Sequence, residues 1–346
     1  MAIWLIRAGK SGEYEKKFLD EGRVYFTWDI DTDDLTGVKE YSAVYKVMAN
    51  SYPGRKKRQI GNYAGQLYAF LNMKIGDWVV MPSKFRSTIH IGEVASGYKY
   101  NPQEITEYIH YFEVKWIKKD IPRTNFDQDI LYSLGAFLTV CGITRNDAEK
   151  RIRAMEKNNW MMPPQKPGVS ISQGEVSSDP NTEAQVDLEI IAADQITRYI
   201  DHKFKGHGMS RIIEAILKAK GYIVYRSPAG PDKGVDLLAA PEPLGFGSPR
   251  LCVQVKTTSS PVDRPTLDQL IGTMQNFNAD QGLLVSWSGF KTSVDKEIPS
   301  QFFKVRLWGQ EEIINELLSN YENLDDDIKT EIPLKKIWTL LPLNED

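Results

Sequence analysis

Cysteine and histidine are scarce in this sequence, which has two cysteines and four histidines among its 346 residues. Cys141 and Cys252 are too few for a disulfide framework or a zinc cage, which favours a reducing, cytoplasmic location. The low histidine count argues against a histidine-based metal centre or catalytic triad. No apolar run approaches the roughly 20 residues that span a bilayer, and the opening MAIWLIRAGK is too short for a signal peptide.

A surplus of basic residues is also absent, because the formal net charge is −3. This excludes a surface that is basic all over, but not a local basic groove for nucleic acid. The hydrophobic content of 41% and charged content of 26% are those of a globular protein. The length is sufficient for two domains, each with its own core.

One segment without periodicity, residues 159–186, is dominated by Pro, Ser, Gly and Gln. Such a composition is typical of a linker. The sequence therefore predicts an N-terminal domain over 1–158 and a C-terminal domain over 187–346. Both contain strand and helix patterns, so the expected class is α/β, in the wider sense that includes α+β.

Two short apolar runs in the C-terminal domain, VDLLAA and LCVQV, are separated by a Pro/Gly-rich loop and predict a β-hairpin. The first run carries Asp236, and the two-residue period of the second places Gln254 and Lys256 on one face. Carboxylate and amide oxygens suit Mg²⁺, and a nearby ammonium group can orient water or neutralise phosphate charge. The alternative is a solvated hairpin in which Asp236, Gln254 and Lys256 are ordinary surface polar residues.

The surrounding order of elements narrows this choice. The stretch MSRIIEAILKAKGYIVYR predicts a helix with Glu214 at the edge of its apolar stripe, followed by a strand. Farther on, QGLLVSWSGF predicts a buried strand, and FFKVRLWGQEEIINELL a strand and a helix. This order resembles the PD-(D/E)xK nuclease core, and in particular the Mrr-type catalytic domain, whose members also have Gln in the Q-x-K position.

The resemblance implies a restriction-endonuclease-like domain that hydrolyses DNA phosphodiester bonds with Mg²⁺, or with Mn²⁺ in its place. It implies a catalytic group of Glu214, Asp236, Gln254 and Lys256. Asp236 and Gln254 would hold the metal, Glu214 would bind metal or orient the site, and Lys256 would align the attacking water. Mrr-type enzymes restrict foreign DNA, often DNA with modified bases. Cleavage of two strands commonly needs two sites, so a homodimer is expected.

The N-terminal domain shows several short strand patterns with Gly turns, which favour a small β-barrel. The stretches GDWVVMPSK and IHIGEVASGYKY are similar to PUA-like domains of the EVE kind. Such domains bind nucleic acid, and several hold a modified base in an aromatic pocket. The resemblance thus implies a reader domain placed ahead of a nuclease.

A base held outside the duplex needs aromatic faces and hydrogen bonds at its edge. Trp28, Trp4 and Tyr98 could supply faces, and Asp29 or Asp31 could accept a hydrogen bond from an exocyclic amine. The alternative is that these aromatic residues belong to the core. Trp28 is the best candidate, since it stands where a strand pattern meets the polar DIDTDD.

Two further features could contact the DNA backbone. The tract Arg55, Lys56, Lys57 and Arg58 places four cations together, although it could simply be solvated. His207 precedes the Glu214 helix, where an N-terminus favours phosphate, although a capping turn also explains the sequence around it.

Three functions therefore remain open. The leading one is a modification-dependent DNA endonuclease, and the second is a sequence-specific endonuclease of unmodified DNA. The third is a DNA-binding sensor with a weak nuclease site, since Gln254 removes one negative charge from the metal site.

Overall fold

The computed structural model describes residues 1–30, 34–162, 188–204, 206–228, 234–241, 243–258 and 260–338, without the side chains of Thr106 and His207. Contacts divide the chain into two compact units, Met1–Asp194 and Gln195–Asp346. Most of the predicted linker, from residue 163 onward, lies outside the described residues. The domain limits of 158 and 187 stay predictions.

The first unit contains seven strands and five α-helices among its described residues before the linker. The strands are β1 Ile3–Ile6, β2 Arg23–Tyr25, β3 Trp78–Pro82, β4 Thr88–Val94, β5 Lys99–Tyr100, β6 His110–Pro122 and β7 Val140–Gly142. The helices are α1 Glu15–Glu21, α2 Tyr41–Ser51, α3 Lys57–Leu71, α4 Gln128–Leu134 and α5 Ala148–Lys157.

Six of these strands form a mixed sheet in the order β2-β6-β4-β3-β1-β7, and β5 adds to β6. Alternation along the strands sends side chains to two cores, as the two-residue period requires. On β3, Val79 and Met81 join a core with α1, α2 and α3, whereas Trp78 and Val80 join a core with α4 and α5. Helices therefore cover both faces of this sheet.

The predicted barrel has no direct counterpart in the strand pairing. Strands β2 and β7 are the two ends of the pairing path, and no ladder between described residues joins them. The structure thus shows a mixed α/β unit, and the PUA-like assignment stays a prediction.

The second unit follows helix α6, Leu188–Lys203, in which the division between the units falls. Its strands are β8 Ile223–Arg226, β9 Leu237–Ala240, β10 Leu251–Lys256, β11 Gln281–Ser286 and β12 Val305–Trp308. Its helices are α7 His207–Ala219, α8 Arg264–Asn276, α9 Thr292–Asp295, α10 Ile298–Gln301, α11 Gln310–Ser319 and α12 Asp326–Glu331.

These strands form one sheet in the order β12-β11-β10-β9-β8. The predicted hairpin is present, with β9 antiparallel to β10, and β10, β11 and β12 run parallel. Helices α7 and α11 pack on one face with Val253, and α8 packs on the other with Cys252. The helices in the described residues include none long and apolar enough to cross a bilayer.

Candidate functional site

The hairpin brings Asp236 and Gln254 opposite each other. The last registered pair is Val253 with Leu237, so Asp236 stands one residue beyond it, across from Gln254. The backbone N–H of Asp236 donates to the carbonyl of Val253 at 3.0 Å. Its carboxylate Oδ2 accepts from the backbone N–H of Val255 at 2.8 Å. Both contacts fix the carboxylate against the strand that carries Gln254 and Lys256.

Gln254 is buried, with 1% of its surface exposed. Neither its Oε1 nor its Nε2 has a hydrogen-bond partner among the residues that the structure describes. A buried polar group without a partner costs about 1–3 kcal/mol, so native proteins keep few of them and each calls for an explanation. A ligand that accepts or donates at this amide would supply that explanation.

The space in front of Gln254 is kept open by a glycine. Gly234 has a φ of +85°, a conformation that favours glycine. A Cβ at this position would lie 3.3 Å from Nε2 of Gln269, 3.6 Å from Oγ1 of Thr273 and 3.8 Å from Nε2 of Gln254. Three polar side chains therefore surround one point, two residues before Asp236.

Gln269 and Thr273 were not singled out from the sequence. Both lie on α8, four residues apart, and the Thr273 hydroxyl donates to the Gln269 carbonyl at 2.8 Å. Thr273 is buried among the apolar residues of its helix. The available signal was Thr273, a polar residue at a position of the helical pattern that otherwise carries apolar side chains.

Lys256 lies at the end of β10, opposite Ser286 of β11. Its side chain is half-buried and forms no ion pair with any described residue. Its ammonium group is thus not committed to a structural salt bridge within the described part of the chain. By the strand period it shares a face with Gln254, as predicted from the sequence.

Glu214 is placed differently from the other three. On α7 its carboxylate pairs with Lys218 at 2.9 Å and with Arg226 at 3.1 Å. Arg226 stands opposite Leu237 in the β8–β9 ladder, next to Asp236. The Glu214 carboxylate is therefore held by two cations, and Arg226 links it to the Asp236 end of the hairpin.

The donor set suits a hard divalent metal. Asp236 offers carboxylate oxygen and Gln254 offers a buried amide oxygen, while Mg²⁺ keeps several waters of its own. Among the described residues, no three His, Cys, Asp or Glu side chains form a cluster that could hold a metal. Burial, with the nearby Asp236 charge, raises the pKa of the Cys252 thiol to about 11, so this thiol stays protonated. Asp236 and Gln254 therefore suit Mg²⁺, in a site to which these two protein ligands contribute one negative charge.

In the first unit, Trp28 belongs to an aromatic cluster with Tyr52 and Tyr63. The ring centroids of Trp28 and Tyr63 are 5.2 Å apart at 83°, and those of Tyr52 and Tyr63 are 5.2 Å apart at 61°. All three side chains are half-buried, and Asp29 beside Trp28 is exposed. Trp28 Nε1 donates to Oγ1 of Thr139 at 3.2 Å, which anchors the indole.

The basic tract lies at the start of α3. Arg55 and Lys56 precede the helix, Lys57 and Arg58 begin it, and the last three are exposed. The backbone N–H of Lys56 donates to Oε1 of Gln59 at 2.9 Å, which closes the helix start. The positive end of the helix dipole adds to these cations. Tyr52 lies three residues before Arg55, so the tract adjoins the aromatic cluster.

The structure does not bring Trp4 and Tyr98 to this cluster. Trp4 Nε1 donates to Oδ2 of Asp77 at 3.0 Å, within the first unit's core. The Tyr98 hydroxyl is 2.6 Å from Nδ1 of His110 and accepts from the N–H of Leu35. Asp31 and the side chain of His207 lie outside the described residues, although the His207 backbone begins α7.

Comparisons with known proteins found one family match in each of the two units. Residues 201–317 match the Mrr catalytic family, described as a restriction endonuclease. Residues 4–132 match a family described as a domain of unknown function, DUF8426. The second unit thus carries a restriction-endonuclease domain. Comparison with curated proteins gave no match.

Similar solved structures were also found. One is the DNA modification-dependent restriction endonuclease AspBHI, at 15% identity and a TM-score of 0.32, covering 82% of this chain and 76% of that chain. Another is the MspJI restriction endonuclease in complex with a 27-mer oligonucleotide, at 13% identity and a TM-score of 0.30. The match covers 91% of this chain and 75% of that chain. A third is the NMR structure of Rpa0253 from Rhodopseudomonas palustris, at 14% identity and a TM-score of 0.24. The match covers 43% of this chain and 90% of that chain.

Proposed function

We propose that this chain is a metal-dependent endonuclease that cuts DNA carrying modified bases and thereby restricts foreign DNA. The observation that carries the proposal is the buried amide of Gln254, which has no partner among the described residues and stands opposite Asp236 in a restriction-endonuclease domain. Its burial costs free energy unless a ligand completes it. A metal ion bound by the Gln254 amide oxygen would offset the cost of burying that group.

Asp236 and Gln254 would hold the metal in this mechanism, and Mg²⁺ is the expected ion, with Mn²⁺ as a substitute. A bound divalent cation supplies positive charge that neutralises the phosphate and acidifies a water molecule. Val255 fixes the Asp236 carboxylate through its backbone N–H, so the ligand is oriented before substrate arrives.

Lys256 aligns the attacking water and neutralises charge that develops on the scissile phosphate. The absence of an ion pair to a described residue leaves its ammonium group available for this work. Glu214 orients the site from α7, since its carboxylate holds Arg226 beside the Asp236 end of the hairpin.

The first unit reads the DNA in this proposal. Trp28 and its neighbours Tyr52 and Tyr63 offer aromatic faces for a base, with Asp29 at the edge. Arg55, Lys56, Lys57 and Arg58 at the start of α3 neutralise backbone phosphates. We expect a homodimer, because cleavage of both strands needs two active sites; light scattering of the purified protein tests this.

The test is a cleavage panel. Phage genomes that differ only in cytosine chemistry are incubated with the protein, with Mg²⁺ present and with the metal chelated. We expect cleavage of the modified genomes when Mg²⁺ is present and no cleavage when the metal is chelated. Equal cleavage of unmodified DNA would instead identify a sequence-specific endonuclease.

A catalytically weak DNA sensor is the second candidate. It is favoured by the absence, among the described residues, of a cluster of three side chains from His, Cys, Asp and Glu. A protein that binds modified DNA tightly but leaves it uncut at any Mg²⁺ or Mn²⁺ concentration would fit this candidate.

A further inference from the structure

The aromatic cluster of Trp28, Tyr52 and Tyr63 has two hydroxyl groups to offer. Neither phenol hydroxyl, that of Tyr52 or that of Tyr63, donates to or accepts from any residue that the structure describes. Trp28, in contrast, donates its only polar hydrogen, that of the indole N–H, to Thr139. Thr139 is in turn held by Gln66, whose Oε1 accepts from the Thr139 backbone N–H at 2.6 Å. The indole is therefore fixed in position, and further hydrogen bonding by this cluster falls to the two tyrosine hydroxyls.

Two charged groups, Asp29 and Arg55, act on the Tyr52 phenol. Burial raises the pKa of its phenol, the Asp29 carboxylate raises it further, and the Arg55 guanidinium opposes both. Asp29 is an exposed acceptor, and Arg55 begins the basic tract at the start of α3. The Tyr52 hydroxyl is thus near enough to a carboxylate and to a guanidinium group for both charges to act on it.

These groups suit one kind of base substituent better than another. A methyl group asks only for apolar contact, and hydroxyl and carboxylate groups around it gain nothing from it. A substituent with hydroxyls loses water on binding and needs donors and acceptors in return. A site built to hydrogen-bond a hydroxyl rejects the analogue that lacks it far more strongly than an apolar site can.

We infer that the first unit selects DNA whose bases carry a hydroxyl-bearing substituent, a hydroxymethyl or a sugar group, over DNA whose bases carry only a methyl group. Tyr52 and Tyr63 are its specificity-determining residues, and Trp28 is the stacking face. The inference rests on the proposed function, since it names the substrate class of that reader. Arg55, Lys56, Lys57 and Arg58 hold the flanking backbone without regard to the base.

The test measures DNA binding by the full-length Lys256→Ala protein in a chelating buffer, so that no cleavage occurs. Four duplexes share one sequence and carry cytosine, 5-methylcytosine, 5-hydroxymethylcytosine or its glucosylated form. We expect one of the two hydroxyl-bearing duplexes to bind about 10-fold tighter than the methylated one. Tyr52→Phe and Tyr63→Phe keep the rings and remove only the hydroxyls. Each should lose about 5- to 10-fold on that duplex, the value of one hydrogen bond, and less than about 2-fold on the methylated one.

The matched control is Tyr132→Phe on α4, where Arg145 lies over the ring, and it should leave all four affinities unchanged. Methylated DNA that binds as tightly as both hydroxyl-bearing duplexes would overturn the inference and leave modification dependence standing. Equal losses on every duplex in the two Tyr→Phe variants would overturn it in the same way. If all four duplexes bind alike, the modified-base reader fails together with the inference.

Discussion

Asp236 accepts a hydrogen bond from the backbone N–H of Val255, so that the carboxylate is fastened to the strand between Gln254 and Lys256. The strand pairing itself therefore orients this carboxylate. Asp236→Asn keeps an acceptor oxygen and the shape of the side chain while removing its charge. We expect cleavage to fall by at least about 100-fold with little change in thermal stability. Steady-state cleavage of modified plasmid beside a melting curve measures both.

The control for that experiment is Asp268→Asn, an exposed carboxylate on α8 that pairs only with Arg264 among the described residues. It should cut DNA at the wild-type rate. If Asp236→Asn cuts DNA at the wild-type rate, Asp236 is not part of the metal site.

Gln254 provides a test in which stability and activity move in opposite directions. Gln254→Leu replaces a buried amide, without partners among the described residues, by an apolar side chain of similar size. We expect the free energy of unfolding to rise by about 1 kcal/mol, because the unsatisfied group is gone, while cleavage is abolished. Denaturant titration and a cleavage assay of the same preparation check the pair. A Gln254→Leu protein that is less stable and still active would show that the amide serves the fold.

The basic tract at the start of α3 should act on all DNA alike. Replacing Arg55, Lys56, Lys57 and Arg58 by Gln should weaken binding to modified and unmodified duplexes by the same factor. The slope of log affinity against log salt should fall by about 0.9 for each phosphate that is no longer neutralised. Titrations at several salt concentrations measure this. Lys115→Gln and Lys118→Gln on β6 remove charge elsewhere and serve as the control; a similar change of slope there would contradict the assignment.

His110 makes the stability of the first unit depend on pH. Burial lowers the pKa of this side chain from 6.5 to about 4, although the Asp34 charge opposes the change. The unfolded chain therefore takes up a proton near pH 6.5 and the folded chain does not, so stability is lost as the pH falls from 6.5 towards 4. The loss between pH 7 and pH 5 should be about 2 kcal/mol.

Chemical denaturation at both pH values, for wild type and for His110→Gln, measures that loss. The variant should be less stable at pH 7, because it lacks the contact with Tyr98, but its stability should change less between the two pH values. His202→Gln, at an exposed histidine of α6, should keep the wild-type difference. An unchanged pH dependence in His110→Gln would assign the effect to other groups.

Local patterns in the sequence were sufficient for much of the second unit. The two-residue period of LCVQVK placed Gln254 and Lys256 on one face, and the hairpin with Asp236 followed from two apolar runs around a turn-rich loop. The contacts of Glu214 were not predictable, because Arg226 reaches it from a strand whose register no short pattern determines. Thr273 and Gln269 are likewise joined to the site only by the packing of α8 against β10.

The first unit shows where such patterns end. The sequence analysis grouped Trp28, Trp4 and Tyr98 as aromatic residues that could supply faces for a base. Their partners differ, and are Thr139, Asp77 and His110 respectively. Tyr63 was hidden in the helical pattern of α3, since its spacing fits a core position equally well. Which aromatic residues meet depends on how distant helices and loops pack, and no local period encodes that packing.

In the proposed function, Asp236, Gln254 and Lys256 form a metal-dependent site that cuts modified DNA. The most direct measurement follows the products from one modified and one matched unmodified duplex, with Mg²⁺ and with chelator, for wild type and Lys256→Ala. We expect cleavage only by the wild type, only on the modified duplex and only with Mg²⁺, while Lys256→Ala still binds that duplex. Cleavage that persists in chelator, or in Lys256→Ala at the wild-type rate, would contradict it.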